Sequence, residues 1–207
     1  MGAPAAVRIH SDLQTRLLQA RTRTDEIFAH IREEALYDRP IAERHRLIFY
    51  LGHVESFDWN LLGRRAFGLR SFQPAFDQLF AFGIDPVGGG LPTDGPLDWP
   101  TRKEVDRYNR HVRESLDSEI ESAMEHPSGG HPQLFEMLET AIEHRLMHAE
   151  TLAYLLHRLP YENKLGDSSH TVASTKNVKH DLVEIPEGEA TLGMNDRGGE
   201  LFGWDNE

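Results

Sequence analysis

The chain has 207 residues, 39% of them hydrophobic and 27% charged, with a net charge of −12 and no cysteine, enough for one domain with a real core plus a tail or a small second unit. The charge argues against binding nucleic acid through its phosphates, and the missing cysteines exclude disulfides, thiolate metal ligands and cysteine nucleophiles. No run approaches the roughly 18 apolar residues of a membrane span and no signal-peptide pattern opens the chain, so a cytoplasmic protein without a membrane partner is expected.

Residues 11–37 read as a first long helix, since Leu13, Leu17, Ala20, Thr24, Ile27, Ile31 and Ala35 recur every three or four residues. Ser11 is its expected cap, with Gln14 completing a capping box, and Arg39-Pro40 its break. A second helix is expected over 41–66, with Leu47, Tyr50, Leu51, Val54, Phe57 and Leu61 on its apolar stripe and His53 on the flank. Residues 67–100 read as connection, with a short helical piece over 75–82 followed by a loop dense in Gly and Pro. No Gly-Lys-Ser/Thr follows those glycines, so they read as a crossover loop and not as a phosphate cradle.

Thr101 is the expected cap of a third helix reaching about residue 126, with Glu104 as its reciprocal partner. Val105, Tyr108, Val112, Leu116, Ile120 and Met124 form its stripe. A fourth helix is expected from near His131-Pro132 to Leu159, with Leu134, Leu138, Ile142, Leu152 and Leu156 turned inward. Four long amphipathic helices without a convincing strand make residues 1–160 an all-α four-helix bundle with a long crossover loop. Residues 161–180 read as a linker. Residues 181–193 read as a strand, a Pro-Gly turn and a second strand, a hairpin too small to stand by itself.

His144 and His148 stand four residues apart on the fourth helix, one turn apart on one face. Two neutral imidazoles so placed can grip a divalent ion if a third ligand arrives from elsewhere, and His53 is the candidate. Nitrogen and oxygen ligation favours iron, zinc, nickel or copper. The chain has 12 histidines, and the alternative is a pair on a solvated or partly buried helix, with His53 a core-edge histidine bonded to a neighbour.

Several segments, in order, resemble the ergothioneine-biosynthesis sulfoxide synthases, whose first domain is a DinB-like four-helix bundle. Ile48-Phe-Tyr-Leu-Gly-His-Val-Glu-Ser-Phe-Asp-Trp-Asn60 is similar to that family's segment with the first iron-ligand histidine. Asp98-Trp-Pro-Thr-Arg-Lys-Glu-Val-Asp-Arg-Tyr108 is similar to its third-helix entry, and His144-Arg-Leu-Met-His-Ala-Glu150 to its His-x-x-x-His-x-Glu motif. Val183-Glu-Ile-Pro-Glu-Gly-Glu-Ala-Thr-Leu-Gly193 and Phe202-Gly-Trp-Asp-Asn-Glu207 resemble the opening of its second domain, related to formylglycine-generating enzymes, here over residues 181–207.

The resemblance implies that His53, His144 and His148 hold a non-haem ferrous ion, Fe(II), with positions left open for oxygen and a thiol. It implies an oxidoreductase that joins a thiol to trimethylhistidine as a sulfoxide; a selenium-inserting relative is similar too. Glu150 is read either as a carboxylate supporting the ligand histidines or as an exposed helix carboxylate. Met147 stands where some members carry a polar residue that helps hold substrate. With only the start of the second domain, the chain is expected to be inactive alone, as a truncated product or one completed by a separate second-domain chain. Two other readings use the same residues: a stand-alone DinB-like metalloprotein with zinc or nickel, acting as a thiol-dependent transferase or hydrolase, and a non-catalytic helical module that forms a homodimer or docks on a partner.

Overall fold

A computed structural model of the chain describes residues 5–84, 90–126, 133–166 and 182–190. The chain divides into two compact units, Met1–Leu165 and Gly166–Glu207. Among the described residues five α-helices build the first: α1 Ala5–Ala29, α2 Leu47–Asp58, α3 Pro74–Phe82, α4 Arg102–Glu125 and α5 Leu134–Arg158. The four longest form the expected bundle, with α2 against α4 and α5, α1 against α5, and short α3 against α2. The inward stripes supply the core: Leu13, Leu17 and Ala20 from α1, Leu47, Ile48 and Leu51 from α2, Val105, Val112 and Leu116 from α4, Leu138, Ile142 and Leu152 from α5. Each of the Leu, Ile and Val side chains contributes about 1.5–3 kcal/mol when fully buried.

Some helix ends differ from the sequence reading. The first helix begins at Ala5, so Ser11 lies inside it, and it stops at Ala29 instead of reaching 37. Its end is set by a distant segment. His30 O accepts from Leu165 N at 2.8 Å, and Arg32 N donates to Asn163 O at 3.0 Å, around an antiparallel bridge between Ile31 and Lys164. Those backbone groups are therefore unavailable for another helical turn, and residues 34–37 form a 3₁₀ turn instead.

The second helix begins at Leu47, not 41, because Arg46 is held in extended backbone (φ −65°, ψ 155°). Its guanidinium donates to Tyr37 O at 2.5 Å and to Asp94 Oδ2 at 2.9 Å. Beyond Asp58 the helix widens into a π-helical stretch, Trp59–Ala66, ended by a bond from Phe67 N to Leu62 O at 3.0 Å. The 3.6-residue stripe cannot report such a change of pitch.

The expected cap of α4 forms. Glu104 N donates to Thr101 Oγ1 at 3.4 Å, and Thr101 N donates to Glu104 Oε2 at 2.8 Å. The start of the fourth helix at His131-Pro132 lies outside the described residues. In the second unit, residues 182–190 contain no strand and expose Leu182, Val183 and Ile185. The expected strand–turn–strand is thus not formed within that stretch; residues 181 and 191–193 lie outside the described ones.

Candidate metal centre

The middle of α2 faces the middle of α5, and there the three sequence-predicted histidines converge. His53 Nε2 lies 3.0 Å from His148 Nε2 and 3.2 Å from His144 Nε2, and the latter two are 3.1 Å apart. His144 is buried, and His53 and His148 are half-buried. Among the described residues they form a group able to hold a metal ion.

One side of the triangle has a defined tautomer. His53 Nδ1 lies 2.6 Å from the backbone oxygen of Phe80 at the end of α3. A carbonyl only accepts, so Nδ1 carries the proton and Nε2 presents its lone pair. The ring planes are set by stacking: Phe49 lies on His53 with centroids 4.7 Å apart, and Phe57 lies on His144 at 3.5 Å, nearly parallel at 8°. These two phenylalanines stand four residues to either side of His53, on the same face of α2.

Burial lowers the pKa of all three histidines, helped at His144 and His148 by neighbouring imidazoles; His148 falls to about 3 and His144 moves further in the same direction. Each is a neutral imidazole at pH 7, the form that ligates metal. The donor set also fits by distance. Nitrogens 3.0–3.2 Å apart can all lie about 2.1 Å from one ion, the usual metal–imidazole length.

Beside His53 a cavity of about 550 Å³ opens between α2, its π-helical extension and α3. Phe57, Pro74, Ala81 and Phe82 give it apolar walls, and Asn60, Arg64 and Gln78 supply polar groups. Its size is that of small-molecule sites.

Glu150 is exposed and, among the described residues, makes no hydrogen bond or ion pair with the histidines, so it is the surface carboxylate of the two readings. Met147 is half-buried. The sequence reading missed Phe80 O, whose role depends on where α3 packs, and a buried charge cluster: Glu55, Asp58 and Arg145. Three charged residues interrupting two apolar helices next to the ligand positions were its visible signal.

Residues 16–152 match the DinB superfamily, a range that contains all three histidines. The Ergothioneine biosynthesis protein 1 of Neurospora crassa is 28% identical to this chain over 193 residues. The matched stretch covers 84% of this chain and 22% of that relative, so the chain spans about a fifth of its length. Both similarities agree with the one drawn from the motifs.

Proposed function

The chain belongs to the DinB superfamily, and on that premise we propose that it is the metal-binding domain of an oxygen-dependent sulfoxide synthase. In this reading His53, His144 and His148 hold a ferrous ion, and the substrates are a thiol and trimethylated histidine. The observation that carries the metal is the convergence of three neutral Nε2 atoms within 3.0–3.2 Å of one another. The substrate class is supported by the likeness to Ergothioneine biosynthesis protein 1.

The reaction balances without a further reductant. The thiol loses its S–H hydrogen and the imidazole ring a C–H hydrogen; a C–S bond forms and sulfur gains one oxygen atom. The second atom of dioxygen leaves as water with the two hydrogens. A ferrous ion with open positions would supply the oxygen activation.

The chain's own residues bind and orient. Phe80 O holds the His53 tautomer, Phe49 and Phe57 hold the imidazole planes, and the neighbouring cavity offers a polar and an apolar wall to an amphiphilic substrate. A second domain related to formylglycine-generating enzymes, whether in the same polypeptide or another chain, completes the substrate pocket.

Elemental analysis of untagged protein, beside His53→Ala and His144→Ala, tests this reading. About one iron per chain, lost in both variants, is the expected result. No stoichiometric metal would overturn the ligand assignment, and zinc or nickel in its place would overturn the oxidative chemistry.

A further inference from the structure

A line of ion pairs runs through the bundle directly behind the histidines. Arg145 of α5 is fully buried between two carboxylates of α2, donating from Nη2 to Glu55 at 2.5 Å and from Nε to Asp58 at 2.8 Å. Arg113 of α4 donates to the other oxygen of Glu55 at 2.6 and 2.8 Å, and forks onto both oxygens of Asp25 of α1 at 2.7 Å. Each long helix contributes at least one charge. Glu55, Asp58 and Arg145 are all 0% exposed.

As a source of stability this arrangement is poor, because desolvating such ions cancels most of their attraction. What it supplies is direction. A guanidinium meets two carboxylates only in its own plane and at fixed spacing. The spacing here is tied to the histidines: Arg145 follows His144, Glu55 stands two residues beyond His53, and Phe57, between the two carboxylates, lies on the His144 ring. Sliding or rotating α5 on α2 by one residue would leave Arg145 and Asp58 buried without partners and Glu55 with Arg113 alone, which the low-dielectric interior penalises far more than an apolar mismatch.

We propose that Arg145, forked by Glu55 and Asp58, is the positioning residue that fixes the register of α5 on α2 and thereby brings the three Nε2 atoms within reach of one ion. The inference rests on the metal reading above for its consequence, but not for its geometry.

The test uses the full chain, with cobalt(II) as the probe followed by visible absorption. A second readout is independent of metal: the distance between spin labels at Arg65→Cys on the π-helical stretch and Ala153→Cys on α5, both exposed positions in a chain without native cysteine. Arg145→Met alone strands the buried Asp58 and leaves Glu55 to Arg113, so the deciding variants are Arg145→Lys and the neutral triple Glu55→Gln/Asp58→Asn/Arg145→Met.

Both are expected to unfold cooperatively, at a lower temperature than the wild type because buried polar groups lose partners. The triple is expected to bind cobalt about 10–100-fold more weakly, with altered absorption bands and a broadened α2–α5 distance. Arg145→Lys, which keeps the charge without the fork, is expected to fall between. A folded triple or lysine variant with wild-type cobalt affinity, spectrum and distance would overturn the proposal. Should the wild type itself bind no cobalt, the ligand assignment fails instead, and the distance decides: broadening supports the positioning role, an unchanged narrow distance sinks it.

Discussion

His53 can offer a lone pair to an ion only because its other nitrogen is already committed to Phe80 O, and that commitment depends on Gly52. A Cβ on residue 52 would come within 2.4–2.6 Å of the Phe80 ring, which is fully buried and has no room to withdraw. Gly52 is therefore where α3 makes its close approach to α2. Gly52→Ala should cost about 1–3 kcal/mol through overpacking and should also weaken metal binding by displacing the acceptor of His53 Nδ1. Thermal unfolding and cobalt titration read the two effects separately. An alanine variant with unchanged cobalt affinity would show that the Phe80 carbonyl does not matter to the ligand.

At the scale of elements, the start of α2 is decided by a loop nearly fifty residues downstream. Asp94 accepts from Arg39, from Arg46 at 2.9 Å and from the Trp99 indole at 2.7 Å, tying the crossover loop to the segment just before Leu47. Burial pushes the Asp94 carboxyl up, but the hydrogen bonds from Trp99, Arg39 and Arg46 more than reverse this and leave it below its usual value. Its folded pKa is thus lower than the unfolded value of about 3.9. The stabilisation is complete above that pH and is lost as pH falls through the folded value. Asp94→Asn should cost about 2–4 kcal/mol at pH 7, because it leaves two arginines poorly paired. The gap between wild type and variant should close as the pH drops below about 4. Urea unfolding across this pH range measures it, and a gap that stays constant would remove the carboxylate charge from the explanation.

For the whole molecule, the proposed ion and the fold would be linked. Metal bound to three histidines from two helices would stabilise only the folded chain, by about 2.7 kcal/mol at a free concentration one hundred times Kd. For a unit of this size that corresponds to roughly 5–10 °C in Tm. Chelation should lower Tm by that amount in the wild type and by nothing in His53→Ala. Because residues 30–32 pair with 163–165, a chain ending at 165 should keep the helical circular dichroism and Tm of the first unit, whereas one ending at 160 should lose stability. Scanning calorimetry of the two compares them directly. Among the described residues no helix is long and apolar enough to cross a membrane.

Much of this protein can be read from local pattern. The stripes led by Leu13, Leu47, Val105 and Leu134 identify the four long helices, and Thr101 with Glu104 marks the start of one of them, because periodicity and caps are properties of neighbouring residues. The His144/His148 spacing puts two rings on one face for the same reason. The tertiary structure decided what depends on residues far apart in sequence: that α1 stops at Ala29, that α2 begins at Leu47, and that His53 closes the triangle through a proton given to Phe80 O. It also decided that Glu55, Asp58 and Arg145 lie inside. A carboxylate's neighbours along its own helix look the same whether it meets solvent or a buried guanidinium, since its burial is set by the helix standing opposite.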